Sequence, residues 1–139
     1  MKDLNKIKCF ATDIDGVWTD GGMYYDQTGN EFKKFNTSDS AGVLFLRLLG
    51  MSTVIITGED TEIVRRRAEK LKISHFFPGI KDKLGTMVDF CSVNGFSLDE
   101  VAYIGDDLND MKLLKAAGLS ACPDNAPEYI KRMVDWPLP

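Results

Sequence analysis

The sequence predicts an α/β fold with a doubly wound, mostly parallel β-sheet of the Rossmann-like kind. Three observations predict it. Apolar, β-branched segments alternate with helical segments of about ten residues, the pattern of strand–helix–strand units. Acidic clusters follow two of the apolar segments, as expected where strands end at a ligand-binding edge. A length of 139 residues with 44% hydrophobic content suits one globular domain spanning 1–139.

The N-terminal part is predicted to be a strand followed by a β-hairpin. Residues 7–12 form an apolar run typical of a buried strand. The hairpin covers about residues 21–35, because segments 23–25 and 31–35 flank turn-forming residues at 26–30. The aromatic residues clustered around it are Trp18, Tyr24, Tyr25, Phe32 and Phe35. So many aromatic side chains favour packing of the hairpin against another subunit.

Helices and strands alternate through the rest of the chain. Thr37 or Ser38 is predicted to cap a helix that Gly50 ends. The β-branched strand Ser52–Ile56 follows, and Thr61 then caps a second helix that runs to about residue 72. The remaining predicted elements are a short strand, a helix at 83–93, a strand at 101–104, a helix at 108–117, a short strand and a helix at 127–133.

Composition and charge narrow the function classes. The net charge of −4 argues against a nucleic-acid partner. No apolar stretch approaches the roughly 20 residues that a membrane span needs, and the N-terminal residues contain no apolar signal region. A cytoplasmic protein without a membrane partner is therefore expected. The odd number of cysteines, all in apolar contexts, predicts reduced core thiols at Cys9, Cys91 and Cys122.

Two acidic clusters carry the first functional signal. Asp13-Ile14-Asp15-Gly16 directly follows the first predicted strand, and residues 105–110 follow the strand at 101–104. Because the carboxyl ends of parallel strands meet at one edge of a sheet, these clusters predict a pocket of concentrated negative charge. Such a pocket favours a hard cation, and its all-oxygen ligands favour Mg²⁺ over Zn²⁺. A metal-dependent phosphoryl-transfer enzyme is predicted.

Two further signals occur in a fixed order with these clusters. Thr57-Gly58 follows a predicted strand, and Lys83 opens a helix. Together the four signals resemble the four motifs of the haloacid dehalogenase superfamily of phosphatases. By this resemblance Asp13 is the nucleophile that forms an aspartyl-phosphate. Asp15 protonates the leaving oxygen and then deprotonates the hydrolytic water.

The same resemblance implies the remaining roles. Mg²⁺ is expected to be bound by the carboxylates of Asp13 and Asp106 and by the backbone carbonyl of Asp15. The groups expected to contact the phosphate are the Thr57 hydroxyl, the Gly58 N–H and the Lys83 ammonium. The supporting residues are Asp107 and Asn109. Asp110 is expected to brace its helix and not to contact the metal.

Three longer segments resemble phosphatases of 2-keto-3-deoxy sugar acid phosphates. They are Asp-Gly-Val-Trp-Thr-Asp-Gly-Gly, Thr-Ser-Asp-Ser-Ala-Gly and Ile-Gly-Asp-Asp-Leu-Asn-Asp. This group belongs to the branch without a full cap domain and is typically a homotetramer, in which the hairpin builds the assembly and a neighbouring subunit covers each site. The resemblance places Thr37, Arg67 and Lys70 against the substrate. Arg67 and Lys70 share a helix face, which suits a carboxylate.

Two departures from that group concern substrate and length. Octulosonate 8-phosphate phosphatases usually have an arginine after the Thr-Gly motif, where this chain has Glu59. A glutamate there resembles the nonulosonate 9-phosphate group, so 2-keto-3-deoxynononate (KDN) 9-phosphate, the precursor of a sialic-acid-type sugar, is the first expectation. 3-Deoxy-manno-octulosonate (KDO) 8-phosphate is the alternative. In addition, the glycine-rich tail that normally follows the last helix does not follow Met133.

Two other protein classes share parts of this pattern. A non-catalytic oligomeric assembly domain of the same fold is expected to have lost Asp13, Asp15 or Lys83, and all three are present. A phospho-acceptor signalling domain has its acidic pair early and its lysine last, whereas here the acidic pair comes last. The enzyme is therefore favoured over both.

Overall fold

A six-stranded parallel sheet forms the centre of the structure, a computed structural model that describes residues 2–139. Its strands, numbered together with the hairpin strands β2 (Tyr24–Tyr25) and β3 (Glu31–Phe32), are β1 (Cys9–Thr12), β4 (Ser52–Ile56), β5 (His75–Phe77), β6 (Val101–Ile104), β7 (Leu119–Cys122) and β8 (Trp136–Pro137). Their spatial order is β5-β4-β1-β6-β7-β8, and each neighbouring pair is parallel.

Helices cover both faces of this sheet. Within residues 2–139 they are α1 (Ser38–Leu48), α2 (Glu62–Lys70), α3 (Lys83–Asn94), α4 (Met111–Ala116) and α5 (Glu128–Lys131). Side chains from α3, α4 and α5 share one buried apolar cluster with β1, β4 and β6. Side chains from α1 and α2 share a second cluster with Ile14 and Ile55. The predicted doubly wound α/β class is therefore confirmed.

The centre of the sheet is also the point where the strand order reverses. From β1 the chain continues to β4 and β5 on one side, and β6 and β7 lie on the other side. The parallel register sets Thr12 beside Ile104, and the Asp13 N–H donates to the Ile104 carbonyl at 3.0 Å. The loops after β1 and β6 consequently start side by side. A crevice at such a switch point is where ligands bind in open α/β sheets.

The hairpin is shorter than predicted, and one of its expected aromatic residues lies in the core. Only Tyr24–Tyr25 and Glu31–Phe32 pair as antiparallel strands. Trp18 is buried, and its Nε1–H donates to the Thr12 hydroxyl at 2.8 Å. Phe35 packs partly buried against the same apolar cluster. The exposed aromatic face of the hairpin is therefore limited to its two strands.

Three element ends differ from the sequence-based prediction. Thr37 has helical backbone angles and makes no side-chain cap, and the Asn36 side chain instead accepts from the Ser38 N–H at 2.9 Å. The last helix spans only Glu128–Lys131. After it, Trp136–Pro137 adds an edge strand beside β7 that the sequence pattern did not indicate. Proline suits such an edge because it lacks an N–H.

Two observations bear on the expectations from composition. Cys9, Cys91 and Cys122 are buried and unpaired among residues 2–139, in agreement with the predicted core thiols. Burial raises the pKa of the Cys9 thiol to about 12, with a smaller contribution from Cys91, so this thiol is inert at neutral pH. In the described part of the chain, no helix has the length and apolar character needed to cross a bilayer.

Candidate active site

A buried lysine holds the floor of the site together. Lys83 is the first residue of α3, whose N-terminus is capped by the Asp82 carboxylate accepting from the Gly85 N–H at 3.0 Å. The Lys83 side chain is 1% exposed, and its Nζ lies 3.1 Å from Asp13 Oδ1 and 2.7 Å from Asp110 Oδ1. The cation therefore bridges the loop after β1 and the turn after β6.

Asp110 is fully engaged by donors of the protein itself. Its Oδ2 accepts from the backbone N–H groups of Asp106 at 2.9 Å and Asp107 at 3.1 Å, and its Oδ1 accepts from Lys83 and the Tyr103 hydroxyl. Burial disfavours its charge, but Lys83 and the hydrogen bonds outweigh burial and lower the pKa of Asp110. Asp110 thus braces the acidic loop as an ionised carboxylate.

Asp13 and Asp106 are the carboxylates left to hold a cation. Oxygens of Asp13, Asp106 and Asp110 all lie within 4.8 Å of one another. Burial, then the Asp110 charge, raises the pKa of Asp13 to about 8 against the opposing effect of Lys83. The same two causes raise the pKa of Asp106 to about 6. One lysine does not neutralise three carboxylates, so this oxygen-only site fits a hard divalent cation.

Two glycines leave room for the carboxylates of the site, Gly16 between the two acidic loops and Gly105 within the second loop. Gly16 has φ of +81°, and a Cβ there would lie 1.9 Å from Asp106 Oδ2. A Cβ at Gly105 would lie 2.5 Å from Asp110 Cγ. On the same loop, the Gly16 carbonyl accepts from the Asn125 side chain at 3.0 Å. Any side chain at either glycine would push the carboxylates apart.

The Asp15 side chain forms an ion pair with Lys33, a residue that no sequence pattern indicated. Lys33 follows β3, and its Nζ lies 2.6 Å from Asp15 Oδ1 and 2.9 Å from Glu59 Oε2. Burial lowers the pKa of Lys33, but the hydrogen bonds to both carboxylates outweigh that effect and raise it. Lys33 is separated from these partners by 18 and 26 residues, so no local motif could have indicated the contact.

Thr57 and Gly58 lie at the end of β4, next to the loop of Asp13. The Thr57 hydroxyl is buried and has no hydrogen-bond partner among residues 2–139. A buried polar atom without a partner is costly unless a ligand satisfies it. A Cβ at Gly58 would lie 3.5 Å from Asn109 Nδ2, so Asn109 faces this glycine. These groups form a second polar wall beside the carboxylates.

The outer predicted residues lie in different surroundings. Thr37 lines a depression of about 520 Å³ at the base of the hairpin. Arg67 borders the same segment, because its Nη2 donates to the Asn36 carbonyl at 3.2 Å and its guanidinium lies 5.6 Å from the Phe35 ring centroid. Lys70 instead borders a second depression between α1 and α2. Contact of any of them with substrate stays a prediction.

Asp107 has a local role in the structure. Its Oδ1 accepts from the Leu108 N–H at 2.7 Å, which caps the short turn before α4. The Tyr129 hydroxyl donates to the same oxygen at 3.2 Å. Asp107 thereby connects the acidic loop to α5 at the exposed rim, as a support for its neighbour Asp106.

Known proteins resemble this chain over almost its whole length. The family described as haloacid dehalogenase-like hydrolase matches residues 57–138. The 3-deoxy-D-manno-octulosonate 8-phosphate phosphatase of Haemophilus influenzae is 37% identical over 138 residues, 99% of this chain and 77% of that protein. The Escherichia coli K12 enzyme of the same name is 35% identical over 127 residues, 91% of this chain and 68% of that protein.

Solved structures show the same similarity. The phosphatase of that name from Moraxella catarrhalis, in complex with a magnesium ion, a phosphate ion and a KDO molecule, has a TM-score of 0.92. It is 38% identical to this chain, and the match covers 96% of this chain and 76% of that one. The cobalt-bound form from Haemophilus influenzae has a TM-score of 0.90 at 37% identity, covering 96% and 78%.

A divalent cation is expected to stabilise the protein more strongly as pH rises. The raised pKa values of Asp13 and Asp106 mean that the folded protein keeps protons which the unfolded chain releases, so these groups lower the free energy of unfolding as pH rises from about 4 to 8. A fixed Mg²⁺ concentration, 100 times the Kd at pH 8, is expected to raise Tm by roughly 5–10 °C at pH 8 and much less at pH 5, where protons compete with the ion. Differential scanning calorimetry measures both values.

The matched variants are Asp106→Asn in the site and Asp89→Asn on the exposed face of α3. Asp89→Asn should retain the response to Mg²⁺, and Asp106→Asn should lose most of it. An equal Tm increase in both variants would show that the ion binds elsewhere.

Proposed function

The chain belongs to the haloacid dehalogenase-like hydrolase family, as a phosphoric monoester hydrolase, and we propose that this single domain (1–139) hydrolyses a 2-keto-3-deoxy sugar acid phosphate with Mg²⁺ as cofactor. The observation that carries the proposal is the buried Asp13 carboxylate, held 3.1 Å from Lys83 at the switch point of the sheet. The residues proposed to hold Mg²⁺ are Asp13, Asp106 and the backbone carbonyl of Asp15. When bound, the ion supplies positive charge that offsets the carboxylates and the phosphate oxygens.

Asp13 is the proposed nucleophile. Its Oδ1 accepts from the Ile14 N–H at 2.8 Å and contacts Lys83, which fixes the orientation of the carboxylate. Attack of an Asp13 oxygen on phosphorus forms a new P–O bond and breaks the bond from phosphorus to the sugar oxygen. The proposed partners of the equatorial oxygens are Lys83, the Thr57 hydroxyl and the Gly58 N–H, since positioning and charge neutralisation govern this reaction.

Asp15 is the proposed proton carrier of both half-reactions. In the first, its carboxyl group gives a proton to the departing sugar oxygen. In the second, its carboxylate takes a proton from the water that attacks the aspartyl-phosphate, so inorganic phosphate leaves and Asp13 is regenerated. The Lys33 ammonium lies 2.6 Å from Asp15 Oδ1 and holds this carboxyl group in place, and Glu59 and Glu31 lie 2.9 and 3.6 Å from the same ammonium.

The sugar is proposed by analogy with the similar enzymes. The enzymes named above are phosphatases of the eight-carbon KDO 8-phosphate. They support KDO 8-phosphate as the substrate and do not support KDN 9-phosphate, the first expectation. One observation keeps KDN 9-phosphate as the second candidate. Glu59 stands where octulosonate enzymes usually have an arginine, and only its Oε2 is engaged by Lys33. A carboxylate oxygen remains to accept from a sugar hydroxyl.

The hairpin is proposed to assemble the protein into a homotetramer, as in the group that the sequence resembles. The support is the exposed aromatic surface of the hairpin: Tyr24 and Phe32 pair on one face and are 41% and 55% exposed, and Tyr25 on the opposite face is 62% exposed. An apolar patch at the end of a projecting element indicates an interaction surface. Its position next to the Lys33 contact also brings any neighbouring subunit close to the active site.

Asp13→Asn is expected to lower kcat by at least about 10³-fold, because the variant lacks the nucleophile and a cation ligand. Circular dichroism should show an unchanged fold, since Asp110 still pairs with Lys83. Asp15→Asn is expected to slow both half-reactions and to trap phosphate on the protein, detectable by mass spectrometry. Asp89→Asn serves as the control for loss of one acidic charge. Activity of Asp13→Asn within tenfold of the parent would exclude the covalent route.

The two sugar acid phosphates separate the candidate substrates. By analogy with the similar enzymes, we expect kcat/KM to be higher for KDO 8-phosphate than for KDN 9-phosphate by about tenfold, a difference of the size that one charged hydrogen bond produces. A tenfold preference for the nine-carbon substrate would instead assign the second candidate and indicate Glu59 as its determinant, which Glu59→Gln would then weaken. Release of phosphate from neither compound would contradict the proposed substrate class.

Replacing the two most exposed of the three hairpin aromatics, Tyr25→Ser with Phe32→Ser, is expected to weaken the tetramer and lower activity together. Sedimentation velocity at micromolar concentration measures the assembly. Val93→Ser, at an 84% exposed position on α3, removes apolar surface away from the hairpin and should leave the assembly unchanged. A monomeric parent at that concentration would defeat the proposal directly.

A further inference from the structure

One ammonium group connects three segments of the chain at the rim of the site. Lys33 Nζ lies 2.6 Å from Asp15, 2.9 Å from Glu59 and 3.6 Å from Glu31. Asp15 follows β1, Glu59 follows β4 and Glu31 lies on β3. The contacts thus join the hairpin to the carboxyl ends of two central strands.

The burial of this lysine is unusual for its position. Its side chain is 1% exposed, whereas the neighbouring Lys34 is exposed. Lysine is rarely buried unless its charge is paired, and three carboxylates supply that pairing here. The two short contacts are charge-assisted hydrogen bonds, which hold side chains in place more firmly than neutral ones. The hairpin is therefore attached to the catalytic edge by an ion-pair network.

The same contacts already pair the Lys33 ammonium with carboxylates of the protein. Its partners are Oδ1 of Asp15 and Oε2 of Glu59, one oxygen of each carboxylate. A phosphate group would have to compete with both for this cation, while Lys83 already lies beside Asp13. Lys33 is consequently better suited to orient the two carboxylates than to bind the phosphate itself.

We propose that Lys33 is a positioning residue that fixes the carboxylates of Asp15 and Glu59, so that leaving-group protonation and sugar recognition both depend on the hairpin being seated at the site. The proposal rests on the function proposed above, in which Asp15 protonates the sugar oxygen and the free oxygen of Glu59 is available to a sugar hydroxyl. It gives the hairpin a role within its own subunit, in addition to assembly.

Two substrates that differ in their need for a proton test this role. kcat/KM reports the steps up to phosphorylation of Asp13, and p-nitrophenyl phosphate completes them without a proton because nitrophenolate is a stable anion. Lys33→Met is expected to lower kcat/KM for the preferred sugar acid phosphate by at least about tenfold and for p-nitrophenyl phosphate by less than threefold. Lys33→Arg should recover most of the loss, and Lys34→Met is the matched control.

A double-mutant cycle tests the part that acts through Glu59. If Lys33 orients Glu59, the combination of Lys33→Met with Glu59→Gln should lose less kcat/KM on the sugar substrate than the product of the two single losses. Multiplication of the two losses would exclude action through Glu59.

Hydrogen exchange gives a readout that does not depend on the substrate. Lys33→Met should speed exchange of the backbone N–H groups in residues 24–35, and Lys34→Met should not. If the parent released no phosphate from either sugar, the proposed substrate would fail while this measurement still tested the attachment. If Lys33→Met is recovered unfolded, Lys33→Gln, which keeps a donor and removes the charge, replaces it. Equal losses on both substrates, or a Lys33→Met loss no larger than that of Lys34→Met, would overturn the proposal.

Discussion

The site depends on the contact of one buried ammonium with two aspartates. Lys83 lies between Asp13 and Asp110, and all three side chains are almost completely buried. Removal of one partner from a buried ion pair leaves an uncompensated charge, which commonly costs about 3–5 kcal/mol. The arrangement is stable because Asp110 collects four donors and Lys83 sits on a helix capped by its neighbour Asp82. Asp13 receives less compensation, which is why a cation fits beside it.

The parallel sheet places the other groups of the site beside this contact. Because β1 and β6 are adjacent and in parallel register, their acidic loops leave the sheet side by side. Gly16 then permits a close approach of the two loops, and Gly105 leaves room for the Asp110 side chain. β4, on the other side of β1, brings the Thr57 hydroxyl to the same edge. The proposed partners of the phosphate and the cation thus follow three neighbouring strands.

The hairpin adds a lysine that contacts two carboxylates at the edge of the sheet. It extends from the catalytic edge between β1 and α1, and Lys33 at its base contacts both Asp15 and Glu59. Within residues 2–139, this small element links Asp15, the proposed proton carrier, to Glu59 and to the exposed aromatic surface. The proposed chemistry, substrate choice and assembly therefore meet in about fifteen residues.

The fold class and the order of the four motifs follow from local sequence patterns. Apolar runs alternate with helical segments, and the carboxylates at 13, 15 and 106 follow strands within one to three residues. The saturation of Asp110 by internal donors, the burial of Trp18 and the contact of Lys33 with Asp15 were visible only in the folded structure. The contacts of Lys83 with Asp110 and of Lys33 with Asp15 join residues that are 27 and 18 positions apart in the chain. Local periodicity carries no information about such pairs, because the paths of the intervening loops set which side chains meet.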